Sequence, residues 1–280
     1  MNVTIPENKM DKKAIFVYSL IILICIISIV AVLYIQIFDG KIVETVGTLK
    51  GKSENDYNNL KANFYKLFTN NLQNEDSKYQ DKKETITKDL VYVGYKANEN
   101  SLDDYDIQVE IPYINVKGSD IQNYNNEIQS VFTDKVKSIM NTKNKNSKYS
   151  VQFSSYVQDG ILSVVIKAEI QEGTSAQRTT IKTYNYDLEN DKPITFEELL
   201  KLKEVNTSYA QQRIDKGAQE GAQKTKDYKS MGYEIYKRNV SDKMYKVENI
   251  EEFYYHDGTI YVIFAYGNDE FTNEVDIAVI

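Results

Sequence analysis

Residues 104–140 read DYDIQVEIPYINVKGSDIQNYNNEIQSVFTDKVKSIM, and their hydrophobic period changes once. Tyr105, Ile107, Val109 and Ile111 alternate with polar partners. That spacing predicts a strand within 104–116 with one buried and one wet face. Pro112 marks a sheet edge or a strand end, because it cannot donate to a ladder. After Gly118 the apolar residues recur every three or four positions: Ile121, Tyr124, Ile128, Phe132, Val136 and Ile139 or Met140. This predicts an amphipathic helix with Asn125, Glu127, Asp134, Lys135 and Lys137 on its polar side. Ser119 and Gln122 have the spacing of a capping box that opens it.

Working outward, residues 86–97 read as a preceding strand and 141–148 as a polar loop. Strands follow at 149–158, 161–171 and 177–188. Asp159–Gly160 is a hairpin turn signal, and Gly173-Thr174-Ser175 a looser one. Leu162, Val164, Val165, Ile166 and Ile170 predict a central position for the middle strand. Thr195-Phe196-Glu197-Glu198 is a second capping box, before Leu199 and Leu200. Residues 204–230 read as helical, although Gly217, Gly221 and Gly232 weaken the pattern. Phe253, Tyr254 and Tyr255 lead to a turn at His256-Asp257-Gly258, with closing strands at 259–265 and 274–280. The order β-β-α-β-β-β-α-α-β-β-β predicts an α+β fold: a mainly antiparallel sheet packed by amphipathic helices. Its sub-halves are expected at about 86–175 and 176–280.

Upstream lies AIFVYSLIILICIISIVAVLYIQIF, residues 14–38, without Asp, Glu, Lys, Arg, Pro or Gly. As a helix it rises roughly 37 Å, more than the ~30 Å core of a bilayer. A transmembrane helix is expected here, with Ala14, Leu23, Cys25, Val30 and Phe38 among its anchor residues against lipid. Its bulky end and long apolar run argue against a cleaved signal peptide. Lys9, Lys12 and Lys13 precede it, while Asp39 and Lys41 roughly cancel after it. The positive-inside rule then puts the short tail 1–13 in the cytoplasm and the C-terminal part outside, in a single-pass topology at the cell membrane. Residues 39–85 are rich in Asn, Lys, Asp and Glu and read as a stalk or linker. Within them a helix over 53–72 is expected from Tyr57, Leu60, Phe64, Leu67 and Phe68 after Ser53 as N-cap. From Gln73 to Lys83 the chain reads as a polar linker.

Cys25 is the only cysteine and His256 the only histidine. The exterior therefore has no disulfide, no ordinary zinc site and no cysteine nucleophile; any Ser-His-Asp site must use His256, which sits in a predicted turn. No cofactor or metal motif is present. Asp103-Asp104-Asp106, Glu197-Glu198 and Glu251-Glu252 are paired carboxylates, but adjacent acids on strands point to opposite faces. Glu197-Glu198 suits the first turn of a helix. No catalytic residue is assigned, and a non-enzymatic protein is expected. Net charge is −7. Residues 1–38 hold Lys9, Lys12 and Lys13 against Glu7 and Asp11, a surplus of one positive charge, so the remainder carries −8. Nucleic acid is an unsuitable partner for that charge, and a cationic one is attracted at long range. The 23 tyrosines outnumber the 10 phenylalanines. Tyr149, Tyr156, Tyr184, Tyr186, Tyr254, Tyr255, Tyr261 and Tyr266 fall in predicted strands or turns. They read either as a recognition surface or as half-buried sheet positions. Abundant Asn, Lys, Ile and Tyr, with no Trp, fit an AT-rich, low-GC Gram-positive source.

Three stretches then carry a resemblance: IQVEIPYINVKGSDIQNYNNEI, TTIKTYNYDLENDKPITFEELL and EEFYYHDGTIYVIFAYGNDEFTNEVDIAVI. Their order over residues 86–280 resembles the extracytoplasmic domain of the anti-sigma-V factors (RsiV-like) and of PdaC-type peptidoglycan deacetylases, domains of the DUF4163 and DUF3298 types. The resemblance implies a cell-envelope domain that, in the anti-sigma-V members, binds lysozyme, a strongly basic protein. The deacetylase domain is missing, and residues 1–13 are too few to hold a sigma factor. The expected function is therefore a membrane-anchored extracellular protein binding lysozyme or another cationic protein, as decoy or inhibitor in lysozyme resistance. The alternatives are an anti-sigma factor-like lysozyme sensor and a peptidoglycan-binding module of the cell wall. No contact residue is assigned.

Overall fold

The computed structural model describes residues 52–75, 77–142, 146–232, 235–266 and 274–280. The span expected over 14–38 and the tail 1–13 lie outside these residues. Among the described residues, no helix is long and apolar enough to cross a membrane.

Helix α1 (Glu54–Asn63) opens on a capping box between Ser53 and Asp56 and runs into a tight turn, Phe64–Leu67. The first sheet comprises β1 (Leu72–Gln73), β2 (Val91–Ser101), β3 (Tyr105–Ile114), β4 (Ser147–Gln158), β5 (Ile161–Gln171), β6 (Arg178–Asp187) and β7 (Lys192–Pro193). Six strands run in the order β2-β3-β4-β5-β6-β7, and β1 also pairs with β4. Pairing is antiparallel except at β4, which is flanked in parallel by β3 over its first half and by β1 over its second. Parallel β3 and β4 require a crossover. The crossover is α2 (Ser119–Ile128), a wide turn at Gln129–Thr133, and α3 (Asp134–Thr142).

After β7 come α4 (Phe196–Leu202) and α5 (Thr207–Ser230). A second, antiparallel sheet is ordered β10-β9-β8, from β8 (Phe253–His256), β9 (Thr259–Ala265) and β10 (Val275–Val279). The two Asp-Gly hairpin turns read from sequence are both present. Asp159 and Gly160 have φ of 52° and 80°, and Asp257 and Gly258 have 47° and 69°. Two successive residues of positive φ match the twist of the flanking strands, which is why Asp-Gly fits there.

The first sheet is buried on both faces at its centre. Ile107, Val109, Val151, Phe153, Val164 and Ile166 meet Ile121, Ile128, Phe132, Val136 and Ile139 of the crossover helices. On the opposite face Val165 and Ile181 meet Tyr254, Tyr261, Ile263, Ile277 and Val279 of the small sheet. Strand β5 belongs to both cores, so Val164, Val165 and Ile166 are all buried and its apolar run is continuous rather than alternating.

The structure corrects several sequence expectations. Residues 53–83, expected as stalk and linker, are part of the fold. Tyr57, Phe64 and Phe68 pack into the small-sheet core, and Tyr79 into the helix-side core. Lys83 is buried and ion-pairs with Glu75 at 2.6 Å. A few aromatics spaced among polar residues suffice to bind the segment down. The expected helix 53–72 stops at Asn63 for the same reason: the tight turn that follows brings Phe64 and Phe68 onto one side. Ser119 is not a cap. Gly118, at φ 133°, is the N-cap residue, and no side chain caps the helix. The strand expected from residue 86 starts at Val91, because the buried Asn115 side chain bonds to Thr85 and to the Lys88 and Asp89 carbonyls, holding 85–90 as a turn. The first sheet runs through β7, so the division near residue 175 falls inside it.

Candidate functional site

Of the eight strand and turn tyrosines singled out in the sequence, Tyr156 is half-buried and the other seven are turned inward. Tyr149, Tyr184, Tyr186, Tyr254, Tyr255, Tyr261 and Tyr266 are all buried. Several point their hydroxyls at internal partners. Tyr254 meets the Ser154 hydroxyl at 2.8 Å and Tyr266 meets the Tyr245 hydroxyl at 2.6 Å. Tyr255 donates to Asp159 at 3.1 Å. Burial pushes their phenols up, that of Tyr261 to about 12. They serve as core residues with a polar tip.

The paired carboxylates separate into structural roles. Glu198 closes the Thr195 capping box, accepting from the Thr195 backbone N–H at 2.9 Å. The Lys192 ammonium and that N–H hold its carboxyl at about 2. Glu252 accepts from the Thr183 N–H at 2.6 Å and hydroxyl at 2.9 Å, and ion-pairs with Lys182 at 3.1 Å. Burial raises its pKa against those contacts. Lys182 lies between Glu252 and Glu127, 3.9 Å from the latter, so a fixed cation separates those two carboxylates. Among the described residues, no three His, Cys, Asp or Glu side chains gather to hold a metal.

His256 is half-buried, with its ring 4.2 Å from that of Tyr156 and Nε2 3.4 Å from the Gln73 amide oxygen. Burial lowers its pKa, opposed by the Asp257 carboxylate. A base whose pKa falls on folding takes up more protons when unfolded. The associated stability is complete above the ordinary value of 6.5 and is lost as the pH falls below it. Thermal melts of the wild type are expected to lose stability on acidification from neutral pH through that range. His256→Gln should lose measurably less; equal losses would remove His256 as a contributor.

Among the described residues, the most exposed large apolar side chain is at the β2–β3 hairpin tip. Ser101 pairs with Tyr105, so Leu102, Asp103 and Asp104 form the loop. Asp103 adopts φ 70°, a left-handed conformation that Asp tolerates better than most residues. The Asp104 N–H donates to the Ser101 carbonyl at 2.9 Å, and the Ser101 hydroxyl donates to the Asp104 carboxylate at 3.2 Å. The tip is tied to β4: the N–H groups of Asn146 and Ser147 donate to the Asp103 and Asp104 carbonyls at 3.1 and 3.0 Å. Leu102 is 88% exposed. Around it stand Asp103 and Asp104, with Glu99 and Asp106 on the adjoining strands; Lys148 lies opposite Asp106. The arrangement is a rigid acidic knob with an apolar apex. The sequence reading noted the acids and passed over Leu102. Its signal was an aliphatic residue inside a polar turn.

No family model matches the sequence, and no curated protein matches it. Two solved structures that it resembles are DUF3298 family proteins. One, from Pseudomonas aeruginosa PAO1, is 9% identical over 37% of this chain and 51% of its own, with a TM-score of 0.28. The chain thus spans about half the length of that relative. The other, from Bacteroides fragilis NCTC 9343, is 14% identical over 57% of this chain and 74% of its own, with a TM-score of 0.26. At these scores the likeness says nothing of a ligand or an activity.

Proposed function

We propose that this chain is a membrane-anchored protein whose folded part lies outside the cell and binds a cationic protein. Lysozyme is the partner that the sequence resemblance implies. Residues 14–38 serve as the anchor. The supporting observation is the hairpin knob: Leu102, the most exposed large apolar side chain among the described residues, sits among carboxylates on a pinned turn. Opposite charge steers a basic partner toward such a surface, and a fixed apolar apex then contributes buried area. The excess of negative charge outside the anchor acts in the same direction.

The test is capture of lysozyme by the intact chain in detergent across a salt series. Binding is expected at low salt, weakening as salt screens the charges. Asp103→Lys with Asp104→Lys should weaken it at least tenfold, which is about 1.4 kcal/mol. Absence of binding at low salt, or binding indifferent to the reversed charges, would overturn the proposal.

A further inference from the structure

The small sheet covers only part of the first sheet's second face. On the rest, side chains alternate outward from β2 to β5. Val109, Val151 and Ala168 point into the helix-side core, with Ala97 packed against it. Their neighbours Asn98, Gln108, Ser150 and Glu169 therefore point the other way. The register sets these four directly opposite one another on successive strands: Asn98 to Gln108, Gln108 to Ser150, Ser150 to Glu169. They form a straight row of about 14 Å at the ordinary strand spacing. Two shallow hollows, of about 190 and 410 Å³, meet along this row, and both include Gln108 and Ser150.

The chemistry of this trough differs from that of the hairpin knob. Amides line it: Asn70, Asn98, Gln108 and Gln152 in one hollow, Gln108, Gln171 and Gln177 in the other. Its charges are balanced in place: Lys96 ion-pairs with Glu110, Lys167 with Glu169 at 3.1 Å, and Lys148 stands opposite Asp106 on the next strand. A surface neutral overall, on a chain of net negative charge, offers no steering to a cation. It offers paired donors and acceptors, which is what an amide supplies. Beside it stands Tyr65, 47% exposed, with the Lys167 ammonium 5.5 Å from its ring centre.

We propose that this trough binds an extended, uncharged glycan. Each sugar hydroxyl both donates and accepts, matching the amide row. The apolar C–H face of a sugar ring packs on an aromatic ring, the role of Tyr65. One strand spacing is close to the rise of one sugar in an extended chain, so successive sugars meet successive strands. The inference rests on the amide row, which adjoins the knob through Asp106 and Lys148 but does not use Leu102, Asp103 or Asp104.

The test titrates the intact chain in detergent with chitotetraose, cellotetraose and, as an anionic control, a heparin tetrasaccharide, followed by calorimetry. Saturable binding of a neutral tetrasaccharide in the millimolar range or tighter is expected, with none of heparin. Gln108→Ala and Tyr65→Ala should each weaken it several-fold, and Tyr65→Phe should leave it intact. Both positions are on the surface, so melting temperatures should stay within a degree or two of wild type. Failure of every neutral glycan to saturate, preference for heparin, or binding unchanged in the Gln108→Ala, Tyr65→Ala double variant would overturn it. Lysozyme capture should be unaffected by these variants, which separates the two surfaces.

Discussion

Arg238→Met is expected to destabilise the fold by about 3–5 kcal/mol, the cost of breaking a buried ion pair from one side. The Arg238 side chain is 5% exposed, between Glu274 and Asp276, themselves 15% and 7% exposed. Its Nε donates to Asp276 at 2.9 Å, its Nη1 donates to Glu274, and the guanidinium lies 4.4 Å from the ring centre of Tyr266. The substituted chain keeps two carboxylates in a site that excludes water. Denaturant unfolding should show the loss as a lower midpoint with an unchanged slope. Adding Glu274→Gln and Asp276→Asn should recover most of it, because uncharged amides cost far less to bury. A loss below about 1 kcal/mol for Arg238→Met would place the pair among surface bridges of little worth.

Phe64→Ala carries the second large effect, about 3–5 kcal/mol. Phe64 is fully buried, 5.3 Å from the ring of Tyr261 and 5.4 Å from that of Phe68. A stalk standing clear of the fold would lose less than ~0.5 kcal/mol on the same change. Equilibrium unfolding of Phe64→Ala, with the surface change Lys66→Ala as control, therefore measures whether residues 53–83 belong to the folded body.

Patterns local in sequence were legible. The alternation from Tyr105 to Ile111, the Asp-Gly turns and the Thr195 capping box each fix their geometry within a few residues. The crossover helix was legible in outline and misread in detail. Tyr124, Ile128, Phe132 and Val136 take three steps of four, which overruns the 3.6-residue period by about one residue. The wide turn at Gln129–Thr133 absorbs that residue and keeps Phe132 and Val136 inward. Gly217 and Gly221 seemed to weaken α5, yet they are its contact face. A Cβ at Gly217 would stand 3.0 Å from the Ala278 Cβ, and one at Gly221 would stand 2.7 Å from the Asp276 Cγ. Nothing near those glycines in sequence announces β10. The tyrosines were ambiguous because an amphipathic ring suits a surface and a hydrogen-bonded interior equally. The trough was hidden for a related reason: Asn98, Gln108, Ser150 and Glu169 are ordinary polar positions until strand register aligns them.

The place of α1 in the fold bears on when the fold can close. Tyr57 in it, and Phe64 and Phe68 just after it, pack with Tyr261, Ile277 and Val279, which belong to strands far downstream in the chain. Lys52 reaches the Thr259 hydroxyl, 207 positions onward, at 2.8 Å. Glu54 likewise waits for Arg213. Phe64 and Phe68 thus stay without these partners on the nascent chain until Tyr261, Ile277 and Val279 have been made. Closure over so long a separation is entropically slow. Loss of β10 would unfasten the first helix, and a C-terminal truncation would leave both ends of the domain open at once.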